Sequence, residues 1–432
     1  MMKFLFTAIL FLGVFMQTKA IEYIKINHQE IPVIFEYSQV IPAGFIRLSF
    51  LGGGSINDGK LSGLSSLSAK LLNEGSKSLG VIKFSEELDK RAISLHSTAG
   101  IETLNIELGF LKEQQKEALK LLQELLLDPN YTQNTLEKIK QNAINTLLAK
   151  ENDFDYIANK NLSTLLFKDT PLAKNPTKES LENITLEDIK NFIQENLTLA
   201  RVIVTMGGDI DEKQTLQEIK NILSNLNTGI KAQTHKYEAN PNKEEITTYK
   251  ETQQAYIYFG APFYISNLKE DSYKAKILSF VLGASGFGSR LMEEIRVKRG
   301  LAYSAYLRVN TGKIISYASG YLQTKLDNQQ EAISLVKEIV KEFIQNGITQ
   351  EELDSAKQFL LGNEPLKKET LSQRLNTKFQ NFYLGLPIDF DQIQLEQIQD
   401  ISLDTINSYI KSHVELNDLT FSILTMEEKD NE

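Results

Sequence analysis

The side chains able to do chemistry are few in this sequence, and their types exclude more than they offer. Cysteine is absent, which removes thiol catalysis and every cysteine-based zinc or iron–sulfur site. The histidines are His28, His96, His235 and His413, and no two share a helical turn, so no pair is spaced to grip a metal from one helix face. A self-sufficient serine hydrolase needs a Gly-x-Ser-x-Gly elbow or a Ser/His/Asp set, and LGASGFGS, the nearest stretch, supplies neither. The densest run of functional groups is GASGFGSRLMEEIRVKRGLAYSAY, residues 283–306. Gly283, Gly286 and Gly288 predict a flexible loop, but their spacing matches neither the dinucleotide fingerprint nor the P-loop. A helix is predicted from about Ser289 to Lys298, ended by Gly300 before a strand. By composition alone, Arg296 is one solvated charge among Arg290, Glu293, Glu294, Lys298 and Arg299, and Tyr303 is a strand residue beside Leu301.

The elements that must position these groups fall into two halves. At 432 residues the chain suits two domains rather than one core. The polar stretch KAQTHKYEANPNKEE, residues 231–245, lacks apolar periodicity and reads as a linker between a domain at 21–230 and another at 246–432. The halves echo each other. Residues 184–206 and 401–426 each open with a Thr or Ser cap candidate on an amphipathic helix and close with an alternating strand ending Thr-Met. EELDKRAISL at 86–95 echoes EEIRVKRGLAY at 293–303, so both echoes lie roughly 207 to 220 residues apart. Strands are predicted at 44–53, 102–111, 254–262 and 314–322, between helical runs such as TLEKIKQNAINTLLAKE and NQQEAISLVKEIVKEFIQNG. The expected fold is α+β: two homologous domains, each a largely antiparallel sheet with helices on one face.

The first twenty residues, MMKFLFTAILFLGVFMQTKA, have an early lysine, a short apolar run and small residues before Ile21. They read as a cleaved secretory signal peptide, with an uncleaved anchor as the alternative, and no later segment offers ~20 apolar residues. The expected location is the periplasm. The net charge is −9, and −11 without those twenty residues, which argues against nucleic acid or an anionic membrane as partner.

One helix connects these pieces to a family. The strand ending GGGSIND is followed by GKLSGLSSLSAKLLNEGS, residues 59–76, in which Leu61, Leu64, Leu67, Leu71 and Leu72 recur at helical spacing. On its own terms this is an amphipathic core helix. The order strand, glycine, helix resembles the inverted-zinc-motif metallopeptidases, the group of pitrilysin, insulysin and the mitochondrial processing peptidases. Competent members carry His-x-x-Glu-His on this helix, two ligands at i and i+4 with the general base between them, and a glutamate ligand about 76 residues on. The resemblance places those positions on Ser66, Ala69, Lys70 and Thr146, and none keeps its chemistry. No metal or cofactor is therefore expected on this chain.

The second half resembles the family where the first does not. SRLMEEIRVKRGLAYSAY is similar to the segment that carries an arginine and, seven residues later, a tyrosine, here Arg296 and Tyr303. The resemblance implies that the guanidinium holds a substrate carbonyl and that the phenol hydrogen-bonds the developing oxyanion. It further implies a non-catalytic subunit of a heterodimeric zinc peptidase, lending Arg296 and Tyr303 in trans to a related zinc-bearing chain that acts on peptides. The alternative is a scaffold or peptide-binding protein of the same fold with no role in proteolysis, and pairing with a second copy of this chain stays open.

Overall fold

The structure, a computed structural model, describes residues 21–427; the expected signal peptide lies outside the described residues. Among the described residues two sheets form. The first holds β1 (Glu22–Ile26), β2 (Gln29–Tyr37), β3 (Ala43–Leu51), β4 (Ser94–Ala99), β5 (Thr103–Leu111) and β6 (Val202–Gly208), in the order β1-β2-β6-β3-β5-β4. The second holds β7 (Glu245–Tyr249), β8 (Gln254–Pro262), β9 (Ala302–Thr311), β10 (Ser316–Lys325) and β11 (Thr420–Thr425), in the order β7-β11-β8-β10-β9. Setting β1 aside, the two orders are the same. In each, a single parallel pair, β2 with β6 and β7 with β11, sits at the same place in an otherwise antiparallel sheet.

Alternation explains the strands that have one core face. Along β3 the buried residues Ile46, Leu48 and Phe50 point to the helices, as do Leu104, Ile106, Leu108 and Phe110 along β5. β6 and β11, read from the sequence as alternating, are buried at every residue. The reason is a reciprocal exchange of helices. Phe154–Leu166, from the first half of the chain, lies on β8 and β11 of the second sheet, and Leu371–Tyr383, from the second half, lies on β2 and β6 of the first. Each is 13 residues long. Thus helices from the same half cover one face of each sheet, and the other half supplies a helix to the second face.

Leu375 and Phe379 of the exchanged helix pack with Ile34 and Ile203; Leu162 and Leu166 pack with Ala239. Glu36 on β2 receives hydrogen bonds from Arg374 and, at 2.6 Å, from Lys378. Burial, the largest single influence, pushes the Glu36 carboxyl up, but the two cations more than offset it and leave it below the ordinary carboxylate range. The segment read as a linker has no helix or strand between residues 228 and 244, yet it is tied down. Tyr237 N–H donates to the Ile314 carbonyl at 2.7 Å and Asn240 N–H to the Leu166 carbonyl at 2.8 Å, with Ala239 and Asn240 buried.

Candidate functional site

The glycine loop and the helix after it are built with unusual turns. Helix Leu268–Ser279 runs on into a π-turn at Phe280–Ala284, and the helix after the loop is π over Met292–Lys298. Gly283 is not part of the flexible loop expected from the sequence. It lies in the π-turn, where a Cβ would sit 2.3 Å from the Leu307 backbone nitrogen on β9, so only glycine allows that approach. Ser289 closes the loop as a cap, its hydroxyl donating to the Gly286 carbonyl at 2.8 Å. Helix and strand are anchored from below: Leu291 and Ile295 are fully buried, Leu301 N–H donates to the Ile295 carbonyl at 2.9 Å, and Thr324 on β10 donates to the Leu301 carbonyl at 2.7 Å.

The extra width of the π-turn can be counted against the first half. There, helix Gly80–Asp89 leads to β4 much as this helix leads to β9. Glu87 pairs with Lys90 and Arg91, and Glu294 pairs with Lys298 and Arg299. Ile93 N–H donates to the Leu88 carbonyl, as Leu301 N–H does to Ile295. Ala92 and Gly300 both take a left-handed turn, at φ 52° and 63°. Between these matched residues the first half has one residue, Asp89, and the second half has two, Arg296 and Val297. A single inserted residue is what converts an α-turn into a π-turn.

That insertion separates Arg296 from its charged neighbours. Arg290 is bound to Glu352 at 2.7 and 2.8 Å and to the Gly347 carbonyl at 2.7 Å, and Arg299 is bound to Glu294 at 2.6 Å. Burial is the largest influence on Glu352 and raises it, while Arg290 and the Thr349 N–H hold it below its usual range. The Arg296 side chain alone of the three makes no hydrogen bond or ion pair among the described residues. Its guanidinium lies over two rings, 4.7 Å from the centre of Phe287 and 4.4 Å from that of Tyr303. Both rings are exposed, Phe287 at 68% and Tyr303 at 81%. Each such contact contributes about 0.5–1 kcal/mol at an exposed site. Contact with ring faces uses none of the guanidinium's N–H donors, which stay available to a carbonyl or carboxylate. Arg296 and Tyr303, singled out from the sequence, are therefore together; Phe287, the third member, carried no spacing signal that could have marked it.

The four positions expected to lack zinc chemistry differ in burial and share no metal-binding geometry. They lie on or near helix Leu64–Leu72, which packs on β4 and on helices Leu186–Asn196 and Gln133–Lys150 of its own half. Ser66 is half-buried, Ala69 is 2% exposed within the core, and Lys70 faces solvent. Thr146 is exposed and its hydroxyl donates to the Asn142 carbonyl at 2.8 Å. The helix start is held by Asp58, which accepts from Gly63 N–H at 2.7 Å and Ser65 N–H at 2.9 Å. Burial is the main influence on Asp58 and pushes its carboxyl up. Such a donor set, a hydroxyl, a methyl, an ammonium and a second hydroxyl, does not fit zinc. Among the described residues no three His, Cys, Asp or Glu side chains are grouped to hold a metal ion. Among the described residues, no hydrogen bond, ion pair or ring contact joins these four positions to Arg296 or Tyr303.

Comparison with known proteins gives a consistent set of matches. Residues 33–179 match the family model described as insulinase (peptidase family M16), and residues 183–360 match the one described as peptidase M16 inactive domain. The join near residue 180 precedes β6, so the matched ranges differ from the two structural halves. The chain is 50% identical to the non-peptidase homolog YmxG of Helicobacter pylori, over 100% of both chains. It superposes on a peptidase M16 inactive domain from Pseudomonas fluorescens with a TM-score of 0.85 at 21% identity, covering 95% of this chain and 98% of that one. The periplasmic protease PqqL of Escherichia coli gives a TM-score of 0.78 at 12% identity, with 94% of this chain matching 46% of that protein.

Proposed function

Given that the chain belongs to the M16 peptidase family, we propose that it is a non-catalytic member that works as one subunit of a two-chain zinc peptidase in the periplasm. The observation that carries this reading is the contrast between two sites. Ser66, Ala69, Lys70 and Thr146 offer no ligand set, while half-buried Arg296 and exposed Tyr303 lie side by side, and among the described residues neither side chain makes a hydrogen bond or ion pair. The name of the Helicobacter pylori relative, a non-peptidase homolog, agrees with the first part. The leader-like first twenty residues support export.

In this reading hydrolysis is the work of a related chain that carries the zinc. This chain binds and orients. The in-plane N–H groups of Arg296 hold a peptide carbonyl, and the Tyr303 hydroxyl donates to the oxygen that gains negative charge. A preorganised donor at that oxygen is worth about 3–4 kcal/mol in the transition state.

The test is to isolate the mature chain from its native cells and assay what co-purifies for chelator-sensitive peptidase activity. A stoichiometric related chain with His-x-x-Glu-His, active only as the pair and impaired by Arg296→Ala, supports the proposal. A chain recovered alone, or a pair indifferent to that substitution, moves the reading to a scaffold of the same fold.

A further inference from the structure

We propose that Phe287 is a positioning residue for Arg296, and that the one-residue insertion in the π-turn brings Arg296 over the Phe287 and Tyr303 rings. This deepens the functional reading above and rests on it only for the consequence in activity.

Three observations carry the inference. First, Phe287 is a large apolar side chain at the tip of a glycine loop, 68% exposed, and among the described residues the charged group over its ring is the Arg296 guanidinium. A single exposed apolar side chain is ordinary, so what marks this ring is the charged group it contacts. Second, the ring and Tyr303 approach the guanidinium to similar distances, 4.7 and 4.4 Å, so two aromatic contacts restrict Arg296 instead of one. An exposed arginine is otherwise free to sample many rotamers, and losing that freedom on binding weakens affinity; a stacked one has lost it already. Third, the matched helix of the first half has one residue fewer at this turn, and its cations Lys90 and Arg91 are both consumed by Glu87. The second half repeats that fork with Lys298 and Arg299 on Glu294 and adds Arg296 outside it. With one residue more at this turn, the second half holds a cation that the local carboxylate does not pair, lying over the loop ring.

The decisive experiment uses the full mature chain with selectively labelled arginine. Ring currents from two flanking aromatics shift the Arg296 side-chain protons upfield. Phe287→Leu should move that resonance most of the way back toward the free-arginine position, Phe287→Tyr should keep it, and deletion of Val297 should abolish it. An unchanged Arg296 resonance in Phe287→Leu overturns the proposal. With the co-purified pair, Phe287→Leu should lower kcat/KM roughly ten- to a hundredfold, with rescue by Phe287→Tyr, and should add nothing in an Arg296→Ala background. A further loss in that background means that Phe287 acts on its own, which also overturns the proposal. A pair whose activity ignores Arg296→Ala defeats the functional reading instead, and the resonance measurement still decides whether Phe287 positions the arginine.

Discussion

Of the three arginines on the helix after the glycine loop, Arg290 and Arg299 are locked into ion pairs and Arg296 is not, so their substitutions should differ in kind. Arg296→Ala should leave the melting temperature of the chain nearly unchanged, while lowering kcat/KM of the reconstituted pair about a hundredfold. Tyr303→Phe, which deletes a single donor, should cost a similar or smaller factor. The ratio of the two, measured on one peptide substrate, separates carbonyl binding from oxyanion stabilisation. In the first half the expectation is reversed. Lys70→Ala and Thr146→Ala alter exposed side chains with no packing duty and should each shift stability by no more than about 0.5 kcal/mol in urea titrations. A chelator should leave the melting temperature of the purified chain where it was, because no ligand set is formed by Ser66, Ala69, Lys70 and Thr146.

At the scale of elements, the helix that bears those positions has been kept for its packing. Leu64, Leu67, Leu71 and Leu72 fill the first core, and Asp58 satisfies two backbone donors at the helix start from a buried position. Asp58→Ala removes that cap and should destabilise the chain by about 1–2 kcal/mol, seen as a lower urea midpoint at an unchanged slope. Asp58 was legible only as the last letter of a strand-ending GGGSIND, since nothing in local spacing says that an aspartate will cap a helix several residues on. The leucine stripe, by contrast, was legible because a 3.6-residue period survives in any tertiary setting. The π-turn around Arg296 was hidden for the opposite reason: one added residue leaves the apolar pattern intact while changing which direction each side chain leaves the helix.

The whole molecule is held together by the helices that its halves exchange. Leu375 is fully buried on the first sheet, and Leu375→Ala should cost about 2–5 kcal/mol and expose β2 and β6 to hydrogen exchange before the rest of the first sheet. The same seam has an acid limit. Glu36 titrates below its ordinary value in the folded chain, so it binds protons less readily there than when unfolded. Its contribution is complete above the ordinary glutamate value near pH 4.3 and is lost as the pH falls through the lower folded value. Glu36→Gln should therefore flatten the fall in melting temperature with acid, and wild-type exchange in Leu371–Tyr383 should rise over that range.

The sequence by itself determined the duplication, the main strands and helices and the absence of cysteine or of any histidine pair on one helical turn, and its resemblance to a family singled out Arg296 and Tyr303. The former follow from residue identity and short-range period, which do not depend on what lies across the fold. Only the tertiary structure decided that β6 and β11 are buried on both faces, that the linker is pinned, and that Phe287 stacks on Arg296. Each of these joins residues through space, between halves or across a turn whose geometry an inserted residue changes, and no local pattern in a single chain records such a contact.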